Sequence, residues 1–227
     1  MSDTLPAPRG WERSENETQH GWSEHGNGVE TFELRDGDAS NSDKANDRDR
    51  SELKSLDAWK APEGQFLKFE IRLPETFACL GGKAHIVLAQ IHRRNRKLDN
   101  NHPNGSPILF QLHVRDSKLI ARSFRQDPDA TVHEAAVLAP LSALKNRWNE
   151  VAMAHVAKGG QQIVNITLNR GPVGASFALP ETNADWEHYF KYGIYRNKLS
   201  EAKLRPAGTH TAQFRNVQTH LTVEDTP

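Results

Sequence analysis

The stretch QFLKFEIRLP, residues 65–74, alternates without a break. Leu67, Phe69, Ile71 and Leu73 fall on one side, Lys68, Glu70 and Arg72 on the other. A side-chain period of two over that length predicts a strand with one buried face and one wet face. The same pattern recurs outward from it. GVETFELRDGD (28–38) sets Phe32 and Leu34 against Glu33 and Arg35. HIVLAQIH (85–92), PILFQLHVR (107–115), KLIARSF (118–124), EVAMAHVA (150–157), QQIVNITLN (161–169), YFKYGIYR (189–196) and QFRNVQTHLTV (213–223) behave alike. Turn-forming runs separate them: Pro103-Asn104-Gly105, Asp127-Pro128-Asp129, Gly159-Gly160 and Arg170-Gly171-Pro172. The series predicts about nine or ten strands at hairpin spacing and little helix. That is the signature of two packed antiparallel sheets, a sandwich or jelly roll. A parallel α/β fold would need long helical crossovers, and the sequence has none.

Three segments fit the pattern less simply. HEAAVLAPLSALKNRW (133–148) reads either as one short helix or as a loop leading into the strand at Val151. RDGDASNSDKANDRDR (35–50), dense in charges and turn residues, is expected to be an exposed loop. Residues 1–27 are polar, with Trp11 and Trp22 as large anchors, and are expected to form an arm lying on a single domain that spans 28–227.

Composition narrows the function classes. The chain has 227 residues, 29 basic and 29 acidic, for a net charge of zero. Binding a polyanion by bulk charge is disfavoured, so an anionic ligand needs a local basic patch. No apolar window is long enough to cross a membrane as a helix, and the first residues lack the apolar core of an intact signal peptide. The single cysteine, Cys79, excludes an internal disulfide and a cysteine-rich metal site. His85, His92, His102 and His113 do not have zinc-motif spacing.

Three segments carry residues suited to chemistry. In Arg50-Ser51-Glu52-Leu53-Lys54, three ionisable side chains share one strand face. In Gln90-Ile91-His92, Ile91 points to the core while Gln90 and His92 point together to the other face. In YFKYGIYR, Phe190, Tyr192 and Ile194 fall on one face, and Tyr189, Lys191 and Tyr195 on the other. Gly193 there marks a close approach by a ligand or another backbone. Taken alone, the first reads better as a solvated strand face with cross-strand ion pairs and the second as an outward polar face at a strand end, while the third also reads as an aromatic-rich strand with a bulge.

Together, in this order, they resemble the jelly-roll polysaccharide lyases. Alginate lyases of that group carry R-S/T-E-L-R, Q-I/V-H and Y-F-K-x-G-x-Y strands; the counterparts here are RSELK (50–54), QIH (90–92) and YFKYGIY (189–195). FELRDGD and the closing GIYR look more like glucuronan lyases and heparin lyase I. The chain departs from the alginate-lyase pattern at Lys54, usually Arg, and at Arg196-Asn197, usually Asn-Gln.

The resemblance implies a substrate groove on the concave sheet and β-elimination on a 1,4-linked uronate polymer, of glucuronan or alginate type. A heparin-type lyase is the near alternative, and a non-catalytic carbohydrate-binding jelly roll the more distant one. Arg50, Gln90 and His92 would neutralise the substrate carboxylate. Tyr195 would be the acid, and either His92 or Tyr195 the base. Glu52, Lys54, Lys191, Arg196, Arg94 and Tyr189 would support or bind substrate. His92, Arg93, Arg94, Arg96 and Lys97, together with Arg48, Arg50 and Lys54, form a basic patch able to steer a polyanion. No nucleic-acid or membrane partner is expected, and the chain is expected to be monomeric. The chemistry requires no cofactor, although some relatives hold a structural calcium, for which Asp36, Asp38, Asp43 and Asp47 are the candidates here. A secreted or periplasmic location follows from the substrate class. Hydrolysis is disfavoured, because it needs two carboxylates facing one bond; Asp185 and Glu187 are read as loop residues.

Overall fold

The computed structural model describes residues 10–14, 21–39, 41–60, 64–94, 108–124, 132–158, 161–171, 174–179, 187–203 and 207–220. The strands in chain order are β1 (Trp11–Ser14), β2 (Trp22–His25), β3 (Val29–Leu34), β4 (Arg48–Ser55), β5 (Trp59–Lys60), β6 (Gln65–Arg72), β7 (His85–Arg94), β8 (Ile108–Arg115), β9 (Lys118–Phe124), β10 (Val132–Pro140), β11 (Asn149–Lys158), β12 (Gln161–Leu168), β13 (Gly174–Leu179), β14 (Glu187–Asn197) and β15 (His210–His220). One short helix, α1 (Asn41–Ala45), precedes β4.

The strands form two antiparallel sheets. One runs β1-β4-β14-β7-β8-β9-β10, with β5 added on β14; the other runs β13-β12-β11-β6-β15-β3-β2. This is the all-β jelly roll that the alternation implied. The inward faces make one core: Leu53, Ile91, Phe110, Phe190, Tyr192 and Ile194 from the first sheet, and Phe32, Leu67, Phe69, Met153, Ile166 and Phe214 from the second. Ring pairs lock the sheets together. Tyr192 lies 5.5 Å from Phe32 and 5.3 Å from Phe214 between ring centroids, and Phe110 lies 5.4 Å from Phe177. Such pairs add stabilisation beyond the apolar area they bury.

Four expectations need correction. First, 133–148 is neither helix nor plain loop: β10 occupies Val132–Pro140 and a 3₁₀ turn follows at Leu141–Leu144. Pairing with β9 overrides the helix-compatible alanines, and Pro140 ends the strand. Second, 35–50 is not simply exposed. It contains α1 and the start of β4, and Asp43 is fully buried. Third, β1 pairs with β4 and β2 with β3, so parts of 1–27 are edge strands of the two sheets. Fourth, Glu187, read as a loop residue, begins β14; Asp185 lies outside the described residues.

Gly193 is explained by backbone, not by ligand. It has φ +135°, and a Cβ there would stand 2.4 Å from Ser51 O, 2.8 Å from Glu52 Cα and 2.9 Å from Phe32 Cδ1. The register of β14 against β7 slips between Tyr192 and Tyr195, which marks a bulge at this glycine. Gly193→Ala is therefore expected to destabilise the fold by about 3 kcal/mol or more, measured by denaturant unfolding. A change below about 1 kcal/mol would show that β4 can move aside.

Candidate active site

The three chemistry-bearing segments become neighbours in the first sheet. β14 lies between β4 and β7. Lys191 is opposite both Lys54 and Gln90, Tyr195 is opposite Arg50, and Tyr189 is opposite His92. Period two does the rest: Arg50, Glu52, Lys54, Tyr189, Lys191, Tyr195, Gln90 and His92 share the face turned away from the core.

Glu52 anchors the cluster. Its buried carboxylate accepts from Lys191 Nζ at 3.0 Å and from Gln90 Nε2 at 2.5 Å, and Arg50 Nη1 stands 4.0 Å away. Those bonds fix the Gln90 amide, because only its nitrogen can donate to a carboxylate. Gln90 Oε1 is thus an acceptor, and Gln111 Nε2 donates to it at 3.3 Å. His92 Nε2 lies 3.0 Å from the same oxygen and must carry the hydrogen. The other ring nitrogen, Nδ1, is then an unprotonated lone pair, and it has no partner among the described residues. Burial, then the charges of Lys191, Arg50, Arg48 and Lys54, hold the imidazole well below its ordinary pKa. His92 is a neutral imidazole whose Nδ1 is buried and unpaired among the described residues. Its lowered value differs from the near-neutral one that a free histidine suggests, and the cause is burial first and the surrounding cations second.

Tyr195 is in the opposite condition. Burial pushes its phenol above the usual value, with Arg48 and Arg50 pulling down and Glu52 pushing up. It is protonated at neutral pH. Arg48 Nη1 donates to its hydroxyl at 3.5 Å, and the Arg50 guanidinium stands 5.2 Å from its ring centroid. Tyr189 packs against His92, with ring centroids 5.5 Å apart, and Lys54 Nζ lies 5.8 Å from the Tyr189 ring.

Several expected roles change. Arg50 does not offer its Nε/Nη2 edge to a ligand, because both atoms donate to Asp43 Oδ1, at 3.0 and 2.6 Å. Arg196 cannot touch substrate. It follows Tyr195 directly, so it points to the opposite face, where it is fully buried and donates to Asp49 Oδ2, Arg35 O and Gly208 O. Glu52 is a buried anchor, and Lys54 forms an ion pair with Glu12 of β1. The Arg94 side chain and residues 95–107, with Arg96 and Lys97, lie outside the described part.

The proposed calcium ligands are occupied by protein donors. Asp43 holds Arg50, Asp38 accepts from Arg35 N, Asp36 accepts from Gly208 N, and Asp47 accepts from Ser200 N. Among the described residues, no three carboxylate, histidine or cysteine side chains converge as a metal cage. These aspartates do not fit a calcium site.

Sequence reasoning gave Asp43 only a candidate calcium role, not that of partner to Arg50, and gave Arg48 only a place in the basic patch, not beside Tyr195. It also missed Gln111, His113 and Arg122 on β8 and β9. Arg48 continues the alternation of Arg50, Glu52 and Lys54. Gln111 and His113 repeat the spacing of Gln90 and His92 on the next strand.

A family model described as polysaccharide lyase matches residues 10–218. The chain belongs to the polysaccharide lyase family. Solved structures agree at the level of fold. An endo-β-1,4-glucuronan lyase from the fungus Trichoderma reesei is 17% identical, with a TM-score of 0.72, covering 96% of this chain and 93% of that one. The alginate lyase A1-II′, a member of polysaccharide lyase family 7, is 19% identical, with a TM-score of 0.64, covering 90% and 85%. The carbohydrate recognition domain of Emp47p is 10% identical, with a TM-score of 0.57, covering 98% and 93%. A search of curated protein sequences found no match. Among the described residues of the lyase, no helix is long and apolar enough to cross a membrane.

Proposed function

We propose that the lyase cleaves a 1,4-linked polyuronate, of glucuronan or alginate type, by β-elimination. The observation that carries this reading is the chain Glu52–Gln90–His92, which leaves an unpaired basic nitrogen on a sheet face shared with a protonated phenol. In the reaction, His92 Nδ1 takes the C5 proton of the sugar. The C5–H electron pair becomes the C4–C5 double bond, the C4–O4 bond breaks, and the Tyr195 hydroxyl gives its proton to O4. The developing charge on the C5 carboxylate is met by the Gln90 amide hydrogen not used on Glu52, with the positive field of Arg50 and Lys191 behind it. Protonation states support this assignment of two roles that sequence leaves interchangeable: at neutral pH the imidazole is free to accept a proton and the phenol has one to give. Such a polymer lies outside the cell, so secretion or periplasmic export goes with this reading.

The test is the ultraviolet absorbance of the unsaturated product with glucuronan, poly-mannuronate, poly-guluronate, heparin and hyaluronan in turn. A rise with glucuronan or a mannuronate-containing polymer is expected. A rise with heparin alone would move the substrate to sulfated glycosaminoglycans. Flat traces with measurable binding would leave a carbohydrate-binding module, a use to which this fold is also put.

A further inference from the structure

A row of five side chains crosses five neighbouring strands on the outer face of the first sheet. Lys54 of β4 lies opposite Lys191 of β14, Lys191 opposite Gln90 of β7, Gln90 opposite Gln111 of β8, and Gln111 opposite Arg122 of β9. At about 4.8 Å between strands, the row spans about 19 Å. Its first four members belong to the hydrogen-bonded site described above; Arg122 stands beyond them at the far end.

Arg122 is half-buried and rests only on neutral groups. Its Nε and Nη2 donate to Gln111 Oε1 at 3.1 and 2.6 Å, and Nη2 lies 2.8 Å from His85 Nε2. Its guanidinium stands 4.9 Å from the Phe124 ring. Among the described residues, no carboxylate pairs with it, whereas the buried guanidiniums of Arg50 and Arg196 each rest on an aspartate. Its neighbours cannot supply negative charge. Burial, aided by Arg122 itself, holds His85 at about 3 and His113 at about 2, so both rings are neutral. His85 Nδ1 faces Lys83 O at 3.3 Å and carries the hydrogen, which turns the Nε2 lone pair towards Arg122. The Nδ1 of His113, buried in the same cluster, has no partner among the described residues. A partly buried cation without a counter-ion is costly in a folded protein, and burial with the nearby Arg115 lowers its pKa to about 10. An arriving anion would remove that cost.

We propose that Arg122 is a carboxylate-binding subsite two strands from Gln90, holding the uronate of a sugar beyond the scissile linkage. The polymer then lies across the strands, and Lys54 bounds the row at the opposite end. This rests on the polyuronate reading given above.

The test uses calorimetric titration of tetraglucuronate and tetramannuronate into the full chain carrying Tyr195→Phe, so that the ligand stays intact. Adding Arg122→Gln is expected to weaken the better-bound tetrasaccharide at least ten-fold. Uncharged cellotetraose should not distinguish the two proteins. Gln111→Glu is a second variant: it gives Arg122 an internal counter-ion, at the cost of the bond to Gln90 Oε1, so it should also weaken the tetrasaccharide ten-fold. Unchanged affinity in both variants, equal losses for cellotetraose, or no tetrasaccharide binding to the Tyr195→Phe protein would overturn the subsite. If the unsubstituted protein yields no unsaturated product but Arg122→Gln still loses affinity, the lyase chemistry fails and the anion subsite stands.

Discussion

Tyr195→Phe is expected to lower turnover by about 10²–10⁴-fold, the range of a lost general acid, while substrate affinity changes little. The substitution removes one oxygen from a ring whose place is set by β14 and by the Arg50 guanidinium 5.2 Å away. What it deletes is the proton for O4, and burial guarantees that the phenol holds that proton at neutral pH. Initial rates by ultraviolet absorbance and binding by calorimetry separate the two effects. Loss of affinity in step with turnover would make Tyr195 a sugar platform. Unchanged turnover would remove it from the reaction.

The second large effect is acid unfolding. Four buried histidines are held neutral by burial: His113 at about 2, His85 and His188 at about 3, and His155 at about 4. In the unfolded chain each titrates near ~6.5. Below that pH the unfolded state takes up protons that the native state refuses. Stability is therefore full above ~6.5 and falls as pH drops towards the native values. At pH 5 each group removes about 2 kcal/mol, roughly 8 together, against a typical total of about 5–15. Glu30 and Asp49, whose pKa values burial raises, work in the opposite direction but are fewer. The free energy of unfolding, followed by tryptophan fluorescence in denaturant, should drop steeply between pH 7 and pH 5. A flat profile would show that these rings are solvated. His188 offers a control, since neither ring nitrogen finds a well-formed partner beside Trp59 and His155. His188→Phe should reduce the acid loss. Because His92 is itself held well below its ordinary value, the acid limb of activity should follow unfolding rather than titration of the base.

Much of the fold was legible because a half-buried strand writes its period into the chain. The alternation in 65–74 became β6, and the two faces of β14 were separated correctly, with Phe190, Tyr192 and Ile194 in the core and Lys191 and Tyr195 on the other side. That the candidate site residues of each strand share a face was legible for the same reason, since alternate positions along one strand point the same way whatever the partner strand.

What depends on register, bulges or distant segments was not legible. Arg196 looked like a substrate contact from its position beside Tyr195, yet the same alternation sends it inward to Asp49. Asp43 lies in a stretch that reads as solvent-exposed, and only the packing of α1 against β4 brings it onto Arg50. Gly193 announced a close approach without saying to what, because the crowding atoms belong to Ser51, Glu52 and Phe32 on two other strands. The sequence by itself determined an all-β sandwich and which side chains leave its core, because alternation is local. The tertiary structure alone decided that Glu52 pins Gln90, that Gln90 orients His92, and that Arg122 ends a row begun at Lys54. Those relations join strands far apart in the chain, and hydrogen-bonded register between such strands leaves no mark within either one.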